Sequence, residues 1–342
     1  MRSATLNREK AALPEIRHFQ INNGSGVPRL FRVSGPSGYV PLVGHKHLPE
    51  RNDTMKDLNY QLKQLCYQNR DGSYSTQSAR RHILNQVSNQ LHELGYRGMN
   101  TRSLKPKHVE ALVEHWLAND IGLGTIKNRM TCLRWWAAAV NRSNVVARSN
   151  DYYGIPNRQF VATESKATSI EESQLSRVRD PYVRMSLELQ RDFGLRREEA
   201  IKFRPDYADR GDHIELKQSW TKGGKARVIP ILTDEQRATL KKAHQLAGKS
   251  ALIPGGKNYI QQLRVYERQT ANAGMSRMHG LRHAYAQARY LALTGWHSPA
   301  AGGPSSAQLS AEDKKIDREA RLIISGDLGH IREQITSVYL GR

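Results

Sequence analysis

Between Asp53 and Asn150, apolar residues recur every three or four positions, which is the spacing of amphipathic helices. Two stripes open this stretch, and their members are Leu58, Leu62, Leu65 and Cys66, then Ile83, Leu84, Val87, Leu91 and Leu94. Two more helical segments follow, KHVEALVEHWLAND after Lys105-Pro106 and TIKNRMTCLRWWAAAVNR, each with basic residues on its other side. The pattern predicts a small all-α unit over residues 53–150.

The flanking sequence divides the rest of the chain. Residues 1–52 mix Gly, Pro and Ser with isolated apolar residues, which predicts a weakly structured arm. Residues 151–167 are polar and without period, which predicts a linker. Residues 168–342 carry helical patterns around one alternating strand pair in HIELKQSWTKGGKARVIPI. We therefore expect a two-domain fold, mainly α with a small antiparallel β-sheet.

The charge balance indicates the kind of partner. In 342 residues, 53 Lys and Arg face 32 Asp and Glu, which gives a formal net charge of +21. Such an excess favours a polyanion, either nucleic acid or a membrane surface. Because no long apolar run is present, we expect double-stranded DNA rather than a membrane. Cys66 and Cys132 are too few for a disulfide framework, which fits a reducing cytoplasm.

Two short stretches hold arginines suited to phosphate chemistry. Without a metal, such chemistry needs fixed positive donors around the phosphoryl oxygens, and arginine is planar, charged and bidentate. In DFGLRREEAIKF, Arg196 stands after a glycine and before a new helical pattern. In MHGLRHAYAQARYLAL, His279 and Arg282 lie three apart and share one face of a helix. Each stretch alone also fits an ordinary surface arginine or a helix-capping histidine.

Metal and nucleotide sites are not expected. His279 and His283 lie four apart, as zinc ligands can, but the Glu of the metalloprotease motif is missing and Arg282 would repel a dication. The phosphate-binding loop of nucleotidases is missing as well, because neither its glycine spacing nor the Ser or Thr after its lysine is present. No cofactor is predicted.

The predicted strand pair places a lysine at its turn. The chain turns at TKGGK, so Lys222 stands at the edge of the hairpin. An ammonium there can reach a leaving oxygen and protonate it, which arginine cannot do. Lys225 is the alternative for this role. The other alternative is that Lys222 is an ordinary solvated lysine on a turn, with no role in chemistry.

The stretch SGDLGHIREQITSVYLGR holds His330 and Tyr339. Nine residues at about 100° each would place the two side chains on opposite sides of one unbroken helix. Joint action therefore requires a break, which we predict at Thr336-Ser337 because both residues favour side-chain bonds to the backbone. The alternative is that Tyr339 packs with Ile331, Ile335 and Val338.

Taken in order, GLRREEA, TKGGKARVIPI, HGLRH, LGH and the late tyrosine resemble the tyrosine recombinases, the family of phage and mobile-element integrases. The match covers about residues 168–342 as a catalytic domain, and residues 53–150 resemble the family's core-binding domain. The resemblance implies a tyrosine that attacks the scissile phosphate, gives a 3′-phosphotyrosyl link and needs no cofactor. The resemblance also implies a cytoplasmic protein that acts as a homotetramer on paired recombination sites in double-stranded DNA. Accessory DNA-bending proteins are further implied partners.

The resemblance also implies a role for each site residue. Arg196 and Arg282 clamp the phosphate, Lys222 is the acid for the leaving 5′-oxygen, and Tyr339 is the nucleophile. His279 and His330 are hydrogen-bonding or proton-transfer partners, whereas Glu199 is a structural residue at a helix start. Candidate phosphate contacts in the helical unit are Arg80, Arg81, Lys127, Arg129 and Arg134.

Two features depart from the common family pattern. The connection over residues 291–320 is long and rich in Gly, Pro and Ser, with a capping box at Ser310 and Asp313. Only three residues follow Tyr339, which leaves open how neighbouring protomers interlock. Two other functions remain open at this point, a DNA-binding protein of the same fold that does not cut, and a type IB topoisomerase.

Overall fold

The structure, a computed structural model, describes residues 57–330 and 332–342. The arm predicted for residues 1–52 lies outside the described residues, and so does Ile331. The described chain is mainly helical and holds one two-stranded antiparallel sheet, which confirms the predicted fold class. No helix in these two ranges is both long and apolar enough to cross a membrane.

Four helices form the N-terminal unit, α1 Asp57–Gln68, α2 Tyr74–Glu93, α3 Pro106–Ala118 and α4 Leu123–Ala139. Residues at the N-termini of α2 and α3 explain why these two helices begin where they do. The Ser73 hydroxyl accepts the amide of Thr76 at 3.2 Å, and Pro106 occupies the first turn of α3, where its missing N–H costs nothing. Two 3₁₀ turns follow, Ser143–Val145 and Asp151–Tyr153.

The apolar stripes of these helices meet in one core. Its fully buried large side chains include Leu62, Leu84, Leu91, Trp116 and Trp136. Burial of each such side chain contributes roughly 1.5–3 kcal/mol, so this core is the main source of the unit's stability. The predicted stripes are therefore confirmed except at their end, where Leu94 is the C-cap of α2 and is 37% exposed.

The C-terminal unit has nine described α-helices, which are α5 Glu172–Ser176, α6 Pro181–Phe193, α7 Arg197–Ile201, α8 Pro205–Ala208, α9 Asp234–Ala247, α10 Tyr259–Asn272, α11 Gly280–Thr294, α12 Ala311–Asp327 and α13 Ser337–Leu340. Helix α6 is central and packs against α7, α9 and α11. The Asp180 carboxylate caps its start by accepting the amides of Tyr182 and Val183. Gly194, at φ +60°, ends it in the left-handed region.

The sheet consists of β1 His213–Leu216 and β2 Arg227–Pro230, with Ile214 opposite Ile229. The predicted hairpin is confirmed, and the chain turns at the expected place, where the Gly224 amide donates to the Thr221 carbonyl at 3.2 Å. Residues 217–226 form a longer loop that contains the 3₁₀ turn Gln218–Trp220. The reason is Trp220, which is 7% exposed and packs against Phe203 and Tyr207, so it draws the loop inward.

The last helices show where the chain breaks. Helix α12 starts at the predicted cap, where the Ser310 hydroxyl accepts the amide of Asp313 at 3.1 Å. It ends at Asp327, Gly329 follows at φ +66°, and a 3₁₀ turn Glu333–Thr336 leads directly into α13. The predicted break exists, but its place was wrong. The helix already ends at Asp327, and Gly329 in LGH is the residue that leaves the helical conformation, because a glycine adopts a positive φ at little cost.

Candidate active site

Tyr339 lies in α13 with 5% of its surface exposed. Its hydroxyl oxygen accepts a hydrogen bond from Arg282 Nε at 3.3 Å and lies 3.5 Å from His330 Nε2. The centroid of its ring is 4.7 Å from that of His283 and 6.2 Å from that of His279. The hydroxyl therefore faces a cluster of cationic and imidazole groups within its own chain.

Arg282 is 1% exposed and is held on several sides. Its Nη1 donates to the carbonyl of Gly194 at 2.6 Å, and its Nη2 donates to the carbonyl of Leu328. Burial lowers the pKa of this guanidinium to about 10, which leaves it charged at neutral pH. A buried permanent cation thus stands beside the phenol of Tyr339.

Arg196 reaches the same carbonyl from another element. It precedes α7, and its Nη2 donates to the Leu328 oxygen at 3.3 Å. Its Nη1 and its backbone amide donate to the carboxylate of Glu199 at 2.8 and 2.7 Å. The two arginines that the sequence assigns to phosphate binding therefore converge at the turn after α12.

Glu199 is fully buried at the base of this cluster. Burial alone would raise the pKa of its carboxyl group, but the charges and hydrogen bonds of Arg227 and then Arg196 outweigh burial and lower the pKa to about 2. The carboxylate stays ionised at neutral pH. Its capping of the Arg196 amide fits the helix-start role expected from the sequence.

The two histidines predicted to act at the site, His279 and His330, are neutral near pH 7. Burial, followed by the charges of Arg282, Arg196 and Arg227, lowers the pKa of His330 to about 4. Burial and then Arg282 also lower the pKa of His279, which stands at the start of α11. Neutral rings can accept a proton as well as donate a hydrogen bond, so both can serve the phenol.

Lys222 stands apart from this group. It is exposed in the loop over residues 217–226, and so is Lys225. In the part of the chain that the structure describes, Lys222 forms no hydrogen bond or ion pair with the cluster. The structure thus brings together five of the six predicted catalytic residues, Arg196, His279, Arg282, His330 and Tyr339.

Two residues of this cluster had no such role in the sequence analysis. His283 was considered only as a zinc ligand, yet its ring is among those closest to Tyr339 and its Nδ1 is buried without a partner. Arg227 was not considered at all, although it binds Glu199 through both terminal nitrogens. The alternation in β2 was the available signal, because Arg227 and Ile229 point to the same buried side.

The five arginines and lysines predicted to contact DNA differ in their surroundings. Arg80 is 8% exposed, holds both carboxylate oxygens of Asp71, and lies 4.1 Å from the ring centroid of Trp135. Arg129 is 8% exposed and lies over Trp116. These two side chains are committed to packing inside the helical unit, which argues against phosphate contact.

The other three are more open. Arg134 is half-buried and donates to the carbonyl of Ala147 and the side chain of Asn150. Arg81 is half-buried beside Tyr67, and Lys127 is half-buried on α4. Arg81 and Lys127 therefore remain the better placed candidates for phosphate contact.

No group of three or more His, Cys, Asp or Glu side chains suited to a metal ion occurs in residues 57–330 or 332–342. The polar groups around Tyr339 are mainly arginine and histidine, with Glu199 already shared between two arginines. Positive donors of this kind suit an oxyanion such as a phosphate.

Comparison with protein-family models shows the family to which the chain belongs. A model described as phage integrase, N-terminal, matches residues 55–146, and one described as integrase matches residues 159–288. The chain belongs to the tyrosine recombinase family of integrases. The integrase match includes the positions of Arg196, Lys222, His279 and Arg282, whereas His330 and Tyr339 lie beyond it.

Solved recombinase structures share the fold of this integrase. A lambda integrase dimer bound to a COC′ core site is 15% identical, with coverage of 82% of this chain and 76% of that chain and a TM-score of 0.52. The XerH site-specific recombinase bound to palindromic difH, in a post-cleavage complex, is 16% identical, with coverage of 83% and 81% and a TM-score of 0.50. A comparison with curated proteins gives no match.

Proposed function

We propose that this integrase is a site-specific recombinase that cuts and rejoins DNA through a 3′-phosphotyrosyl intermediate, for the integration or excision of a phage or mobile element. The observation that carries the proposal is the placement of the Tyr339 hydroxyl, 3.3 Å from Arg282 Nε and 3.5 Å from His330 Nε2. A packing tyrosine has no need of a buried arginine and a neutral imidazole at its oxygen.

In the proposed reaction, the phenol oxygen of Tyr339 bonds to phosphorus while the bond from phosphorus to the 5′-oxygen breaks. The phenol proton passes to a neutral imidazole, and His330 Nε2 is placed to accept it. Lys222, or Lys225 in its place, gives a proton to the departing 5′-oxygen. The products are a phosphotyrosine at the 3′ end and a free 5′-hydroxyl.

Arg196 and Arg282 stabilise the negative charge that accumulates on the non-bridging oxygens. Loss of one such donor typically slows the chemical step about 10²- to 10³-fold. The phosphodiester energy stays in the protein–DNA bond, so the 5′-hydroxyl of a partner strand can reverse the reaction without ATP. Neither a metal nor a nucleotide takes part in these steps.

DNA recognition falls to both units in this proposal. The helical unit over residues 53–150 and the catalytic unit over residues 168–342 close around duplex DNA. Residues 151–167 form the predicted linker, but its first part belongs to the helical unit, because Tyr153 and Ile155 pack in the core of that unit. Arg81 and Lys127 contact phosphates, whereas the internal contacts of Arg80, Arg129 and Arg134 give these residues a packing role. Strand exchange requires paired sites, for which we propose a homotetramer with accessory DNA-bending proteins.

The test is a suicide substrate, nicked so that the cut strand diffuses away. Wild-type protein should accumulate a covalent adduct at Tyr339 without added Mg²⁺, because the 5′-hydroxyl needed for reversal is lost. Tyr339→Phe should fold and bind DNA but form no adduct. Tyr266→Phe is the matched control, since Tyr266 is also buried and loses only a hydrogen bond from Gln190.

Two outcomes would count against this function. An adduct in Tyr339→Phe would show that another residue is the nucleophile. A wild-type protein that binds its own cognate site yet never forms the adduct would favour the non-cutting DNA-binding protein. Relaxation of supercoiled DNA by the protein on a single site would favour the topoisomerase, because a recombinase acts on paired sites.

A further inference from the structure

Arg227 is a buried arginine that the proposed reaction does not use. It is the first residue of β2 and is 7% exposed. Its Nη1 and Nη2 donate to the two carboxylate oxygens of Glu199 at 2.8 and 2.7 Å. Such a paired contact fixes the plane of both groups and is the strongest form of an arginine–carboxylate bond.

Glu199 transmits this contact to the phosphate clamp. Each oxygen of its carboxylate accepts one bond from Arg227 and one from Arg196, through Arg196 Nη1 on one oxygen and the Arg196 amide on the other. The two arginines are therefore held by one fully buried group. Any displacement of Arg227 removes two of the four donors that hold Glu199 in place.

Arg227 also supports the turn that carries His330. A Cβ atom added to Gly329 would lie 2.9 Å from Arg227 Cδ and 3.0 Å from Nη1. The backbone at Gly329 thus rests directly on the arginine side chain, at φ +66°, one residue before His330. The close approach ties the position of His330 to that of the guanidinium.

The third connection runs along the chain. Arg227 pairs with Leu216 across the sheet, and residues 217–226 between them form the loop that holds Lys222. Arg227 therefore fastens the end of this loop to the base of the arginine cluster. The three connections lead to three different parts of the proposed reaction, the clamp, the imidazole and the acid.

Arg227 has features that stability alone does not explain. Its Nε is buried without a partner, and a buried unsatisfied donor costs about 1–3 kcal/mol. Arg227 and Arg196 are two cations that share the single carboxylate of Glu199. A surplus of buried positive charge is unfavourable in the free protein but becomes favourable beside a phosphate.

We propose that Arg227 is a positioning residue for DNA cleavage. It aligns Arg196 through Glu199 and His330 through Gly329, anchors the loop of Lys222, and adds a permanent positive charge beneath the phosphate. The proposal rests on the proposed function, since it concerns the same cleavage step. It assigns Arg227 no contact with DNA.

The test compares Arg227→Met and Arg227→Lys with the wild type in single-turnover cleavage of the suicide substrate. Arg227→Met should bind DNA within about threefold of wild type but cleave about 100-fold more slowly, because the clamp and the imidazole lose their alignment. Arg227→Lys keeps the charge without the paired geometry, so its rate should lie between the two. Arg237→Met, which removes an arginine paired with Asp209 outside the site, should cleave normally.

The pH profile separates positioning from mere folding. The charge of Arg227 is one of the causes that lower the pKa of His330. In Arg227→Met, the pKa of His330 should rise, so the acidic limb of the cleavage profile should move to higher pH. Arg227→Lys should keep the limb near its wild-type position. A lost fold reduces the amount of active protein but does not move the limb.

Arg227→Met leaves Glu199 buried without its main partner and can fail to fold. The double variant Glu199→Gln with Arg227→Met removes the ion pair as a unit and avoids a buried unpaired charge. Slow cleavage by the folded double variant supports the proposal. The proposal for Arg227 is overturned if Arg227→Met or the double variant cleaves at the wild-type rate with the acidic limb of its pH profile unmoved. The proposed function would still stand in that case, provided that the wild-type protein forms the adduct.

Discussion

The guanidinium of Arg282 makes three hydrogen bonds within its own chain before any DNA arrives. Its three nitrogens donate to the carbonyl of Gly194, the carbonyl of Leu328 and the hydroxyl of Tyr339. Of the three acceptors, only the tyrosine hydroxyl belongs to a side chain that can rotate away. Under the proposed function, a phosphate oxygen takes the place of this hydroxyl at Nε, which frees the phenol oxygen to attack.

Gly194 holds one side of this arrangement, and its replacement by alanine should be costly. A Cβ atom there would lie 2.5 Å from Tyr285 Cδ1, and the backbone is at φ +60°. Gly256→Ala is the matched control, because φ is +81° with open space around it. Both variants lose roughly 1–2 kcal/mol from the left-handed backbone. Gly194→Ala should lose about 1–3 kcal/mol more, since the added atom overpacks the core.

Urea denaturation of both variants measures this difference as the gap between their free energies of unfolding. Equal losses would mean that Tyr285 moves aside without cost. Cleavage by Gly194→Ala should fall even where the protein is folded, because the carbonyl of Gly194 holds Arg282 Nη1.

The sequence anticipated these residues unevenly. The spacing in HGLRH singled out His279 and Arg282, because neighbouring positions on a helix are readable from a linear pattern, whereas His330 was assigned its role by the resemblance to the tyrosine recombinases. Arg227 escaped notice, since its partner Glu199 lies 28 residues away and the bond exists only after folding. The place of His283 beside Tyr339 was missed for the same reason, because this contact joins segments that are distant in the sequence.

At the scale of elements, the loop over residues 217–226 is a solvent-exposed part of the candidate site. Trp220 anchors it on one side and Arg227 ends it on the other, while Lys222 and Lys225 are exposed between them. The sequence predicted the strand pair from its alternation. It did not predict the buried Trp220, because a single aromatic residue in a loop carries no periodic signal.

Lys222→Ala tests which loop lysine is the acid. The variant should cleave ordinary DNA slowly, because the departing 5′-oxygen needs a proton. It should cleave DNA with a 5′-thiolate leaving group at nearly the wild-type rate, because a thiolate leaves without one. Lys225→Ala is the matched control on the same loop and should affect both substrates little. Equal losses on both substrates in Lys222→Ala would leave it only an electrostatic role.

At the scale of the whole molecule, the positive charge is a property of both units. The formal net charge of +21 includes Arg81 and Lys127 in the helical unit and the arginine cluster around Tyr339. Charge and composition predicted a nucleic-acid partner without any structure. They could not predict which basic side chains are open, because burial of Arg80 and Arg129 depends on the helix packing.

The salt dependence of DNA binding tests the proposed contacts of the helical unit. A plot of log affinity against log salt should have a steep negative slope, to which each neutralised phosphate contributes about 0.9. Arg81→Ala and Lys127→Ala should each reduce the slope by about that amount. Lys315→Ala, an exposed lysine on α12, is the control and should leave the slope unchanged. A wild-type slope near zero would contradict the proposed clamp.

The position of Tyr339 in the cluster of its own chain has a consequence for mixed populations. Under the proposed function, each copy cuts with its own tyrosine, so the number of strands that a mixed assembly opens equals the number of its intact copies. A gene for Tyr339→Phe protein should therefore be dominant over the intact gene in the same cell. Its product would occupy recombination sites without cutting them, and exchange would fail wherever one inactive copy took a place.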